Sequence, residues 1–225
     1  MGSKLHFSAA VLTVLFCGFF LVSVKAQTQI LPGQVTISEL RLAGEGGIED
    51  EFIEIYNNTN NDIFVQATDT TPGWAVAFSN GQIAGPLFVI PNGTRIPARG
   101  HFLGANGNGY SLAGYPSGNP TATNAKVVNG TQSPFANTTP NATWDFDVPN
   151  DLTVGIALFS TTNGPSFSSS TRLDAFGFVN APALYREGTG YPTAALTRTL
   201  VRDMRTPAGT SKDTDNNAAD FLLLT

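Results

Sequence analysis

The chain is poor in most of what enzymes, membrane spans and nucleic-acid binders rely on. Its 225 residues include one cysteine and two histidines, and charged residues make up 13%, about half the share usual in a globular domain. No long segment after residue 27 repeats apolar residues at helical spacing. After the N-terminal apolar run no second one is long enough to cross a bilayer; Phe221 to Leu224 falls far short of the roughly 20 residues a helix needs.

Each scarcity excludes something. Cys17 lies inside the N-terminal apolar run, so a chain trimmed after Ala26 keeps 225 − 26 = 199 residues and no thiol. No intramolecular disulfide is then possible, even in an oxidising compartment, and stability must come from a packed core, which a chain of this length can bury. Phe16 precedes Cys17 where a lipoprotein site would want a small residue, which argues against lipidation. Removing Lys4 and Lys25 leaves 10 basic against 17 acidic residues, a net charge of about −7. Such a surface has no counterion-release grip on nucleic acid and no basic patch for anionic lipid.

Catalytic signatures are scarce too. Beyond the N-terminal run His101 is the one histidine, and it reads as a strand residue. There is no Gly-x-Ser-x-Gly elbow and no His-rich metal spacing. The glycines at 104–109 do not sit between a strand and a helix, so they are not a phosphate loop. Candidate carboxylate pairs for glycoside hydrolysis are too numerous to be specific.

What is present begins with an export signal. Lys4, the apolar run from Phe7 to Val24 and the Val24-Lys25-Ala26 flank fit a signal peptide over 1–26, with an uncleaved anchor as the alternative. Residues 27–33 form a tail and 34–225 one domain. That domain reads as strands with period two: Val35 to Ser38, Phe52 to Tyr56, Ile63 to Gln66, Trp74 to Phe78, Leu87 to Ile90, His101 to Leu103, Val154 to Phe159, Leu173 to Phe178, Leu196 to Val201 and Phe221 to Leu224. Ile53 and Ile55 share one face of the second, and Glu54 shares the other with Phe52 and Tyr56. Gly, Pro and Asn punctuate the strands, as at Pro91-Asn92-Gly93. Many short strands of this kind suggest a sandwich or barrel. Residues 105–143, rich in Gly, Asn, Pro, Thr and Ser, read as a surface excursion with one short strand near Lys126 to Val128.

Several segments together resemble the lamin tail domain family as it occurs in exported bacterial proteins. They are VTISELRLAG, EFIEIYNNTNNDIFV, GWAVAF, IPNGTRIPARGHFLGAN, GIALFS, RLDAFGF and ALTRTLVRDMRTPAGTSKDTDNNAADFLL, which cover roughly 34 to 224. EFIEIYN followed by a GW strand, and DTDNNAADF near the end, are the more specific parts. The resemblance implies an all-β, immunoglobulin-like β-sandwich with a non-enzymatic binding or tethering role. Its partner would be a protein or glycan at the cell surface. The stretch between Val65 and Gly73 and the 105–143 excursion are longer than usual for the family, and the domain stands without an attached enzyme. The five Asn-x-Ser/Thr sequons, at Asn57, Asn92, Asn129, Asn137 and Asn141, are chance in a bacterial context and glycosylation sites in a eukaryotic one.

The sharpest local motif runs from Asp213 to Asp220. Asp213, Asp215 and Asn217 place oxygen donors at positions 1, 3 and 5 of a tight loop, and Asp220 is positioned to close the shell, as a calcium site requires. Ala218 stands where an EF-hand wants Gly, and the bidentate Glu at position 12 is replaced by Leu224. A turn held by Asp and Asn side chains is the competing reading. A second acidic group, Glu45, Glu49, Asp50 and Glu51, reads as a solvated loop, with a contribution to a cation site as the alternative if it folds near the C-terminal loop. Three expectations follow: a secreted or cell-surface binding module, a calcium-stabilised structural protein of the envelope or matrix, and a secreted hydrolase.

Overall fold

A computed structural model describes residues 29–111, 125–128, 131–134, 139–194, 197–204 and 210–224, the second and third of these segments as backbone alone. The expected signal peptide lies outside the described residues, as do the sequons at Asn129 and Asn137. Among the described residues no helix is long and apolar enough to cross a membrane.

The protein is an all-β sandwich. One sheet has six strands in the order β10(Ala142–Trp144), β7(His101–Asn106), β2(Phe52–Asn57), β1(Val35–Arg41), β13(Leu200–Arg202) and β14(Phe221–Leu223). The other has four, in the order β12(Arg172–Gly177), β11(Gly155–Phe159), β4(Gly73–Ser79) and β5(Ala84–Pro91). Neighbours are antiparallel except β10, which runs parallel to β7. Two small ribbons stand apart from these sheets: β3(Ile63–Phe64) with β6(Arg95–Ile96), and β8(Ala125–Val128) with β9(Thr131–Pro134). The strand expected near Lys126 to Val128 is therefore half of a hairpin.

Period-two alternation decides which side chains meet. Ile53 and Ile55 of β2, Trp74, Val76 and Phe78 of β4, and Ile156 and Leu158 of β11 enter the core between the sheets. The alternate residues are buried as well. Ala77, Ala157, Phe159, Ala175 and Tyr185 form a second cluster on the back of the four-stranded sheet, where Phe167 stacks on Phe159 with centroids 4.1 Å apart. Phe52, Leu103 and Ala105 form a third on the back of the six-stranded sheet. This double burial explains why runs such as GWAVAF and GIALFS are apolar throughout.

Two local features constrain the frame. A register shift between Ile37 and Glu39 kinks β1, and the Ile37 N–H there donates to Asp174 on β12, tying the two sheets together. Gly73 begins β4 directly against the Ile90 carbonyl oxygen, where a Cβ would collide with backbone.

Candidate functional site

The Asp213–Asp220 loop folds back beneath β13, and its polar side chains serve the chain itself. Asn217 opens a single helical turn, α1(Asn217–Asp220), and is fully buried. Its Oδ1 accepts from the backbone N–H groups of Gly177 (2.9 Å) and Glu187 (2.8 Å), and its Nδ2 donates to Ala175 O (2.8 Å). Asp220 is also fully buried and accepts from Thr214 N (2.8 Å) and Thr214 Oγ1 (2.7 Å). Asp215 is exposed with φ +53°, a conformation that Asp tolerates in turns. Asp213 Oδ1 lies 3.4 Å from Arg202 Nη1. Of the four residues expected to ligate calcium, Asp213 and Asp220 converge, and they converge on Arg202.

Arg202, unremarked in the sequence, is the centre of the arrangement. It is 0% exposed. Its Nη2 lies 2.8 Å from both oxygens of Asp174, and its Nε donates to Ile37 O (2.9 Å). Asp220 (3.6 Å) and Glu187 (3.9 Å) complete a ring of four carboxyl groups, and Phe221 lies 4.7 Å beneath the guanidinium. Burial opposes the guanidinium charge, but the carboxylates outweigh it, Asp174 foremost, and raise its pKa above the ordinary value. The price of concentrating four acids around one base falls on Glu187. Burial, and then the Asp174 charge, push its carboxyl up to about 10, so it is neutral at physiological pH. Burial pushes Asp174 up to about 6 against the pull of Arg202. Ligand oxygens of Asp174, Glu187 and Asp213 lie within 4.8 Å of one another, close enough to hold a metal. The guanidinium is already the cation among them.

A second convergence lies at the other end of the six-stranded sheet. Glu51 and Asp50, expected in a solvated loop, are fully buried. Asp50 pairs with Arg41 at 2.6 Å and accepts from Ser111 N and Oγ. Glu51 accepts three hydrogen bonds, from Asn106 Nδ2 (2.7 Å), Trp144 Nε1 (3.2 Å) and Val148 N (2.9 Å). Burial pushes its carboxyl up to about 7 although these donors pull it down. Beside this hub a cleft of about 410 Å³ opens between β5, the turn after β7 and the segment leaving β10. Leu87, Asn108, Thr143, Trp144, Asp145 and Phe146 line it. Trp144 is nearly buried, whereas Phe146 is 38% exposed and rests on Phe78 with centroids 5.7 Å apart. The cleft sits at the root of the 105–143 excursion.

His101 lies on β7 with its ring stacked on Tyr56 at 4.6 Å. Its Nδ1 is 3.3 Å from Glu54 Oε1, the atom to which the Ser38 hydroxyl donates at 2.6 Å. The hydroxyl therefore meets the carboxylate and not the imidazole, the reverse of the order by which a histidine activates a serine. Two sequon asparagines are similarly engaged. Asn57 is buried with Nδ2 shared among three carbonyls, and Asn92 bridges Ala67 N and Thr71 O.

No protein-family model matches the chain, and no curated protein matches it. Among solved structures the chain is similar to a DUF4876 family protein from Bacteroides thetaiotaomicron VPI-5482, at 14% identity and a TM-score of 0.45, over 85% of this chain and 71% of that one.

Proposed function

We propose that this protein is a non-catalytic, exported binding or tethering module of the lamin tail type, and that it captures a protein or glycan at the cell surface. The cleft beside Trp144 carries this reading. It combines a half-exposed aromatic ring (Phe146) with the amide, hydroxyl and carboxylate of Asn108, Thr143 and Asp145 on a sandwich frame, the mixture of apolar body and few polar groups that recognition sites use. The order of Ser38, Glu54 and His101 supports binding over hydrolysis. The lamin tail resemblance supports tethering.

The test pairs binding with turnover. Saturable binding of the purified protein to the surface of its producing cells should fall at least tenfold in Asp145→Lys/Phe146→Ala, with the melting temperature of the variant unchanged. Ester, glycan and phosphoester substrates should not turn over. Hydrolysis that disappears in His101→Ala would overturn the reading.

A further inference from the structure

We propose that the cleft beside Trp144 takes a lysine or arginine side chain of a protein partner, with the apolar stem on Leu87 and Trp144 and the charged head at Asp145 and Phe146. This deepens the binding reading and rests on it: of protein and glycan, it commits to a protein that presents a basic side chain.

The donors that line the cleft are occupied, and its acceptors are open. The Trp144 indole donates inward to Glu51 Oε2. Both protons of Asn108 Nδ2 are committed, to Glu49 Oε1 (3.1 Å) and Asp145 O (3.0 Å). The Gly107 amide donates to Trp144 O, and the Asn108 amide to Asn106 Oδ1. The lining still offers the Asp145 carboxylate, Asn108 Oδ1 and the Thr143 hydroxyl. Among the described residues no hydrogen bond or ion pair engages any of these three groups. A fitting ligand must therefore bring donors, and ammonium and guanidinium groups are donors only. A sugar brings acceptors as well, and beyond the Thr143 hydroxyl no side-chain donor is left to meet them.

Charge points the same way. Asp145 lines the cleft, Asp147 follows on the same segment, and Glu49 reaches in to Asn108. The Glu49 charge is felt at Asp147. Among the described residues no lysine or arginine pairs with any of these three acids. The chain as a whole carries more acids than bases, which steers a basic partner toward it. The apolar lining suits the rest of such a side chain. Leu87 and Trp144 are nearly buried, a surface on which the methylenes of a long basic residue lie while its head stays at the water edge. The half-exposed Phe146 ring adds a π-face that attracts a cation.

The test is an NMR titration of the purified protein, read at the Trp144 indole and the Gly107 and Asn108 amides. The Trp74 indole, which donates to Gln66 O and does not line the cleft, is the internal control. The probes are an end-capped Gly-Gly-Lys-Gly-Gly peptide, the same peptide with its lysine acetylated, its arginine and glutamate counterparts, and a neutral oligosaccharide. The lysine and arginine peptides should shift the cleft signals saturably, and the acetylated and glutamate peptides should not. Affinity should fall about tenfold in Asp145→Asn, and should weaken as salt rises from about 0.05 M to about 0.5 M. That variant keeps the backbone carbonyl that holds Asn108 and removes no side-chain bond of the fold. Equal binding of the acetylated peptide, or cleft signals unmoved by lysine and arginine, would overturn the proposal. Shifts from the oligosaccharide alone would overturn it while the binding reading stands. Shifts from lysine, together with cell-surface capture indifferent to Asp145→Lys/Phe146→Ala, would instead overturn the capture role and keep the basic-side-chain site.

Discussion

Arg202 Nη2 lies 2.8 Å from both carboxylate oxygens of Asp174, and neither side chain is more than 1% exposed. The pair joins β13 of one sheet to β12 of the other, and Glu187, Asp213 and Asp220 close around it. Removing one member of a buried ion pair leaves the other charged and uncompensated, at a cost of about 3–5 kcal/mol. Arg202→Met should destabilise by that amount in urea unfolding. Combining it with Asp174→Asn should cost less than the sum of the two single changes, because the residues share one interaction.

Stability should be greatest on the acid side of neutrality. The carboxyls of Glu187, Glu51 and Asp174 are raised to about 10, about 7 and about 6. The folded state therefore binds protons more tightly than the unfolded chain at all three. Their stabilising contribution is complete below the ordinary carboxyl range and is lost as pH rises through those values. The exposed Asp62 and Asp69, whose pKa values are lowered by hydrogen bonds from Arg95 and Thr161 respectively, act in the opposite sense in the acid range. The melting temperature should fall from pH 5 to pH 9, and Glu187→Gln should flatten the alkaline part of that fall. A melting temperature that climbs over this interval would contradict the assignment.

Asn217 ties α1 to the backbone at 175, 177 and 187 through one amide. Truncation leaves two N–H groups and a carbonyl buried without partners. Asn217→Ala should cost about 3 kcal/mol or more in chemical unfolding. Amides of residues 210–224 should lose protection from hydrogen exchange before the rest of the sandwich does.

Gly73 and Gly85 begin and accompany the same β-ribbon in different surroundings. A Cβ at Gly73 meets the Ile90 carbonyl, whereas at Gly85 it meets nothing within 4 Å. Gly73→Ala should lower the melting temperature by several degrees, and Gly85→Ala should leave it within a degree or two.

The sandwich was legible because its strands are short apolar runs set off by Gly, Pro and Asn turns. EFIEIYN, GWAVAF and GIALFS each became a strand where period two placed it. The short β6 and β10 were not, because Arg95–Ile96 and Ala142–Trp144 owe their pairing to distant partners and not to a local pattern. The acidic loop was legible as a cluster but not as part of a cage. Its neutralising Arg202 and its partners Asp174 and Glu187 lie elsewhere in the chain. One cue was available: Asp174 interrupts the apolar run Leu173 to Phe178, and an acid in a buried strand needs a partner. Glu51 gave no comparable cue, since its donors come from Asn106, Trp144 and Val148, 55 to 97 residues away.

The central claim is that Asp213 and Asp220 of the C-terminal loop serve Arg202 and the chain's own backbone in place of a metal. It is tested most directly by the thermal melt of the purified protein in excess calcium and then in excess chelator. The expected result is one melting temperature in both. A ligand at one hundred times its dissociation constant adds about 2.7 kcal/mol, which for a chain of this size is a shift of roughly 5–10 °C. A shift of that order in calcium, lost in Asp213→Asn/Asp215→Asn, would contradict the claim and make the loop a cation site.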